Sequence, residues 1–184
     1  MRIVAGTLRG RLVPVPPGEV RPTAQRVREA LMSILGPEWE GRRVLDGFCG
    51  SGAFGFEAVS RGAEHATLID DNARVLRQVD ATARAFGVTA QVRTLRGDVA
   101  HVLEQLAKAG ERFDIVFLDP PYAPNGPLDS ALAGVAKVLG TYGTVVAEHP
   151  DGTPPVDPPT LRVTGQRRYG DTALRFYQHA PGAL

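Results

Sequence analysis

Read as apolar and polar positions, the middle of the chain alternates short hydrophobic runs with stretches of helical periodicity. Arg42–Phe48 reads as a short buried strand, followed by a glycine-rich turn and a helix from about Ser51 to Arg61. His65–Asp70, Ala90–Arg96, Phe113–Asp119 and Gly143–His149 read as four further strands. Between them, Asn72 can cap a helix reaching Phe86, with Val75, Leu76, Val79 and Ala83 at helical spacing. A helix from about Val99 to Lys108 gathers Val102, Leu103 and Leu106, and another runs from about Leu128 to Leu139. The run Phe113–Asp119 is apolar almost throughout, as a strand buried on both faces requires. This alternation predicts an α/β fold with a parallel sheet and helices on both faces.

The two ends break the pattern. Five prolines between Pro150 and Pro159 predict a loop. Residues 160–170 and 172–180 then read as an antiparallel hairpin turning at Gly170-Asp171. The first 22 residues read as short strands and a Pro/Gly-rich loop. A helix follows over Thr23–Leu35, with Thr23 as N-cap and Val27, Ala30, Leu31 and Ile34 as its apolar side.

Composition narrows the class. With 184 residues, 43% hydrophobic and 22% charged, the chain fits one soluble globular domain. No apolar run approaches the ~18 residues of a membrane span, and none follows the basic start as in a secretion signal. A single cysteine, Cys49, leaves no internal disulfide, and four scattered histidines lack metal-ligand spacing. The expectation is a cytoplasmic protein without a metal, and a monomer because no broad apolar stripe is evident. The net charge of +1 conceals +4 in residues 1–43, −6 in 44–159 and +3 in 160–184. Basic ends that met in space would attract a phosphate backbone; an arginine-biased composition explains the same counts.

The candidate chemistry lies at the strand ends. Gly50, Gly52 and Gly55 form a G-x-G-x-x-G turn after the first strand, and Asp70 stands twenty residues after Gly50, where an acid can accept from ribose hydroxyls. That much suits a nucleoside cofactor, a dinucleotide included. Asp46 favours a cationic one: an acid beside the turn repels a pyrophosphate and attracts an ammonium or sulfonium. Asp98 could accept from an adenine amine or equally cap the helix it precedes. Cys49 reads as a small residue in a tight loop.

Asp119-Pro120-Pro121-Tyr122 follows the most apolar strand. Two prolines remove two amide donors, leaving the Asp119 carboxylate and Pro120 carbonyl as acceptors for a planar nitrogen with two N–H groups. Accepting both protons restores density to that nitrogen, and Tyr122 could stack on a flat base. The expected reaction is direct in-line methyl transfer, with Asp119 as first acceptor of the developing charge.

With these residues in place, nearly the whole chain resembles the RsmD family, guanine-N2 methyltransferases of small-subunit (16S) ribosomal RNA. "RIVAGTLRGRLVPVP", "RPTAQRVREALMSIL", "LDGFCGSGAFGFEAVSRGA", "FLDPPY" and "RRYGDTALRFYQ" carry the resemblance, the Arg21-Pro22-Thr23 and Arg26-Val27-Arg28-Glu29 opening most specifically. It implies a Rossmann-like class I S-adenosylmethionine-dependent methyltransferase. Its sheet would be mostly parallel and seven-stranded, with a C-terminal antiparallel hairpin, and residues 1–40 would form a short N-terminal β/helix extension. It implies that Asp46, Gly50 and Gly52 line the donor site with Gly47, Phe48 and Ser51. Asp70, with Asp71 beside it, would hold the ribose, and Asp98, with Val99, the adenine. Asp119, Pro120, Pro121 and Tyr122 would hold the guanine amine. Arg9, Arg11, Arg21, Arg28 and Arg168 are expected to grip RNA, and Thr23 and Arg26 could reach the donor's carboxylate. Phe48-Cys49 and Ala5 depart from the family's common residues. An adenine-N6 or protein-glutamine methyltransferase shares the same logic. A nicotinamide-dependent oxidoreductase or a non-catalytic RNA-binding protein fits it less well.

Overall fold

The apolar runs become five parallel strands: β1 Arg43–Gly47, β2 His65–Asp70, β3 Val92–Arg96, β4 Phe113–Leu118 and β5 Leu139–Pro150. Two antiparallel strands complete the sheet, β6 Leu161–Tyr169 and β7 Thr172–His179. In this computed structural model the described residues are 1–15, 22–121 and 126–182, without the side chains of 22–24. The seven strands lie in the order β3-β2-β1-β4-β5-β7-β6. The order reverses between β1 and β4, and at such a switch point a crevice opens beyond the carboxyl ends of the strands.

The helices are α1 Pro22–Ile34, α2 Ala53–Arg61, α3 Ala73–Phe86, α4 Val99–Lys108 and α5 Pro127–Val135. Alternation in β1 decides what each face meets. Leu45 packs with Val102, Leu103 and Leu132 of α4 and α5, while Val44 joins Leu31, Phe54 and Phe117 beneath α1. Each such burial contributes about 1.5–3 kcal/mol. Asn72 caps α3 by accepting from the Arg74 amide at 2.9 Å, as its position in the sequence predicts. The hairpin turn falls at Gly170-Asp171, with Gly170 at φ 62°.

Three expectations change. Thr23 lies inside α1 rather than capping it, because Pro22, with its φ already suited to a helix start, takes the first turn. The buried stripe of α1 is Val27, Arg28, Leu31 and Met32, whereas Ile34 is exposed and Ala30 half-buried. The stripe turns this way because α1 lies between the sheet and the N-terminal residues rather than on the sheet alone. The last helix stops at Val135, a single 3₁₀ turn follows, and β5 begins at Leu139. Between Leu139 and Thr144, β5 carries three residues more than β4 does between Phe113 and Ile115. The excess bulges outward and leaves Tyr142 94% exposed.

Residues 1–13 form an arm folded back on itself, with one antiparallel bridge at Arg2–Leu12. It lies along α2, which is buried from Ala53 to Ser60. Glu57, with 0% exposure, accepts from the Val4 and Ala5 amides at 2.9 and 3.2 Å and from Arg61 Nε at 3.0 Å. Ser60 takes the Leu8 amide on its hydroxyl at 2.9 Å and the Thr7 amide on its carbonyl at 2.7 Å. At Gly6, with φ 79°, a Cβ would stand 1.6 Å from the Ser60 carbonyl oxygen. The arm's backbone thus lies directly on the end of α2.

Candidate active site

Odd-even alternation sends Asp46, Asp70 and Phe117 to the face that carries Val44, Leu68 and Val146. The chain places Asp119 and Glu148 just past the β4–β5 pair Leu118–Ala147. A cleft of about 210 Å³ opens there. Asp46, Phe48, Gly50, Ser51 and Phe54 line it from β1, its loop and α2, Phe117, Asp119 and Glu148 from β4 and β5, and Met1, Val15 and Arg28 from the arm and α1. Phe54 and Phe117 pack with ring centroids 4.6 Å apart.

The loop from Gly47 to Gly52 is held by its own backbone and by Asp70. The Cys49 amide donates to Ile69 O at 2.9 Å and the Gly52 amide to Cys49 O at 2.8 Å. Asp70 accepts from the Gly50 amide at 3.0 Å and the Asn72 amide at 2.9 Å, one bond per oxygen. Its remaining lone pairs stay available to a ribose. The glycines divide the work: at Gly52 (φ 73°) a Cβ would lie 2.7 Å from Leu68, so that position lets α2 pack on β2, while Gly50 meets open space on the cleft side.

The site gathers three acids, Asp46, Asp70 and Asp119, close enough to act on one another. Asp46 is 2% exposed and accepts from the Gly55 amide at 3.2 Å. Burial raises its carboxyl well above the usual range, and Asp119 and Asp70 push it further. No salt bridge to it is found among the described residues. A buried acid of this kind gains most from a bound cation. Asp119 lines the open cleft, where protein crowds it while water still reaches it. That crowding pushes its carboxyl up to about 6. Cys49 is buried and its thiol pushed upward, so it is an inert wall of the loop.

Comparison with known proteins decides the family. The model of the family described as "Conserved hypothetical protein 95" matches residues 1–178. The chain belongs to that family. It is 36% identical to Ribosomal RNA small subunit methyltransferase D of Escherichia coli K12, over 97% of this chain and 89% of that one. With the Haemophilus influenzae protein of the same name it shares 31% over 97% and 94%. The solved chain of yhhF from Escherichia coli superposes with a TM-score of 0.84 at 32% identity, covering 97% of each. The Rossmann-like class I methyltransferase fold follows from these matches and from the strand order.

Within this family fold, Asp46, Phe48, Gly50, Ser51 and Asp119 share the cleft as expected. Gly47 fits tightly against Leu118 and Val99, which is buried, so both pack beneath the loop. Pro120 is buried and Pro121 exposed, whereas Arg21, Tyr122 and the Thr23 side chain lie outside the described residues. Asp98 caps α4, accepting from the His101 amide at 3.0 Å. Asp71 is exposed, and its carbonyl accepts from Arg96.

The expected RNA-binding arginines separate. Arg28 is 6% exposed and turns inward, donating to Arg2 O at 2.6 Å and to the Met1 sulfur. It does not sit on an RNA-facing surface, because its position belongs to the buried stripe of α1. Arg9 and Arg11 sit at the wrong end for the cleft. α2 leaves the carboxyl edge of the sheet at Gly52 and runs back about 12 Å to Ser60, where the arm's tip is fastened. Arg11 donates to Ala85 O at 2.9 Å and covers the Phe86 ring, at the far end of α3. Arg26 is exposed on α1. Arg168 is 71% exposed and bridges to Asp151 at 3.0 Å. Its strand partner Ala173 pairs with His149, at the carboxyl end of β5. Glu57, Ser60 and Glu148 escape the sequence reading. The one signal for each is a polar residue breaking an apolar run: Glu57 and Ser60 in "AFGFEAVS", Glu148 in "GTVVAEH".

Proposed function

We propose that the chain is an S-adenosylmethionine-dependent methyltransferase acting on the 2-amino group of a guanine in small-subunit ribosomal RNA. The observation that carries this reading is the cleft at the switch point, which buried Asp46 and exposed Asp119 both line. The names of the Escherichia coli and Haemophilus influenzae relatives support the RNA and the reaction. When bound, S-adenosylmethionine supplies an electrophilic methyl group on a sulfonium.

The chain's own residues do the rest. Asp46 attracts the donor's positive charge. Gly50 leaves its backbone open to the nucleoside, and Asp70 offers its remaining lone pairs to the ribose. Asp119 and the Pro120 carbonyl accept the two protons of the exocyclic amine and orient its lone pair, and Asp119 then stabilises the positive charge that develops there.

Glu148 favours guanine over adenine. It stands beside Asp119 in the same cleft. Guanine presents an N1–H next to its 2-amino group, which a second carboxylate can accept. Adenine presents a lone pair there, which a carboxylate repels. Glu148 has an interaction partner of its own, and a carboxylate offers about four acceptor positions. At the carboxyl edge of the sheet, exposed Arg168 contributes a phosphate contact.

The test is transfer of labelled methyl from S-adenosylmethionine to small-subunit particles lacking the modification, followed by nucleoside analysis. Label is expected in 2-methylguanosine, with a loss of about 10³-fold in Asp119→Ala. Label in 6-methyladenosine would keep the chemistry and sink the substrate. Because Asp119 must be ionised to accept, kcat/KM is expected to rise with pH through about 6 and to lose that limb in Asp119→Asn. An unchanged limb in the variant would remove Asp119 from the proton-accepting role.

A further inference from the structure

Tyr142 is 94% exposed at the outward bulge of β5, a place the sheet pairing does not require. The bulge is closely packed at its base. At Gly143 a Cβ would lie 2.6 Å from Leu139, and at Gly140 it would lie 3.3 Å from the Phe113 carbonyl oxygen. A bulge re-aims a side chain, and the one turned outward here is an aromatic ring.

Two hollows share Tyr142. One, of about 430 Å³, is lined by Leu35, Ile115 and Phe176 and by Arg42 and Arg167. The other, of about 420 Å³, is lined by Arg162. Both lie within the ~300–1,000 Å³ of ligand-sized sites. Strand register puts Arg162 and Arg167 on one face. Val146 pairs with Phe176 and Phe176 with Gly165, and the pairs Arg162–Gln178 and Arg167–Leu174 lie two residues of β7 to either side. That face carries α1 and Phe117, a cleft residue two positions after Ile115, about 7 Å along β4.

Charge decides the occupant. No acid lines either hollow among the described residues. Arg162 donates to the Gln178 side chain at 2.8 Å and Arg167 to the Gln166 carbonyl at 2.9 Å, both neutral acceptors. Arg42 meets Glu38 at 4.0 Å, where that carboxylate is 89% exposed and screened by water. A second copy of this chain would set the same arginines against one another across a two-fold axis, and a basic protein would meet the same repulsion. An unpaired RNA strand matches both features. Its phosphates suit the guanidiniums, and each base has a flat face for the phenol ring.

We propose that Tyr142, with Arg42, Arg162 and Arg167, forms a second RNA contact outside the cleft, stacking one unpaired base on Tyr142 and pairing the adjoining phosphates with the arginines. This contact presupposes RNA as the substrate, whichever base is methylated. It anchors the strand, and the chemistry stays with Asp119.

The experiment is equilibrium binding of the full chain to a fluorescent unpaired RNA of about 12 nucleotides, with methyl transfer to small-subunit particles as a second readout. Tyr142→Ala and Tyr142→Leu are each expected to weaken binding about tenfold, and Tyr142→Phe to stay within about twofold, because stacking needs the ring. Arg162→Gln with Arg167→Gln is expected to lower the salt slope by about 1.4, the share of two phosphates. In methyl transfer, Tyr142→Ala is expected to raise KM about tenfold with kcat unchanged. Equal RNA binding by wild type and Tyr142→Ala would overturn the second contact and leave RNA as the substrate. Binding kept in Tyr142→Leu but lost in Tyr142→Ala would overturn it too, since apolar bulk would then suffice, as for a protein partner. A wild type that sediments as a dimer, with Tyr142→Ala a monomer, would assign the patch to a second copy instead. A wild type that binds no unpaired RNA yet methylates particles would also overturn the contact; one that does neither would bring down the RNA reading itself.

Discussion

The N-terminal arm and the C-terminal hairpin are both basic, both antiparallel and both outside the β-α alternation, yet they do different work. The arm is tied down by buried polar groups: Glu57 and Ser60 take four of its backbone amides, and Gly6 lies directly on the Ser60 carbonyl. Its tip, with Arg9, lies at the amino edge of the sheet, and only its base, Met1 and Val15, reaches the cleft. The hairpin instead extends the sheet, and its turn falls beside Pro150 at the carboxyl edge. Equal charge therefore does not mean equal function. The arm is a structural brace packed on α2 and Arg28, and the hairpin carries Arg168 to the exposed carboxyl edge of the sheet.

The comparison can be broken by substitution. The largest effect is expected for Gly6→Val, which meets both a positive φ and a backbone oxygen at 1.6 Å; it should detach the arm and lower stability by more than about 3 kcal/mol. A thermal melt close to wild type would show that the arm is not a brace. Glu57→Ala comes next. It strands two half-buried amides and Arg61, and about 3 kcal/mol is expected in denaturant unfolding. A loss under about 0.5 kcal/mol, the range of an ordinary surface change, would mean that Glu57 is dispensable.

Charge reversal sharpens the contrast. Arg168→Glu is expected to weaken RNA binding about tenfold at low salt and to flatten its salt dependence. Arg9→Glu with Arg11→Glu is expected to cost less than about threefold, since those side chains lie a helix length from the cleft. The reverse ranking would return the RNA to the arm.

Much of the site could be read along the chain. Asp46, Gly50, Asp70 and Asp119 needed only strand ends and turn chemistry, because a parallel sheet sends every carboxyl end to one edge. The same logic failed on α1. Helical periodicity placed Ile34 inside and left Arg28 outside, because it counts apolar residues and cannot know that a cation is buried among them. Asp98 shows an ambiguity that periodicity cannot resolve: a cap and an adenine acceptor demand the same residue at the same place, and the carboxylate here accepts from His101.

What the sequence alone determined is therefore local and periodic. It specified five parallel strands, a terminal hairpin, a glycine turn between two acids and an Asp-Pro-Pro turn after the most apolar strand, since each follows from the spacing of apolar residues, glycine and proline. Only the tertiary structure decided which charges meet. It brought Arg28 to the cleft, set Glu148 beside Asp119 and carried Arg9 and Arg11 to the far edge. The register of β4 and β5 fixes the place of Glu148, and the places of the arginines depend on how the arm folds back along α2, a long-range packing choice made by Glu57, Ser60 and Gly6 together.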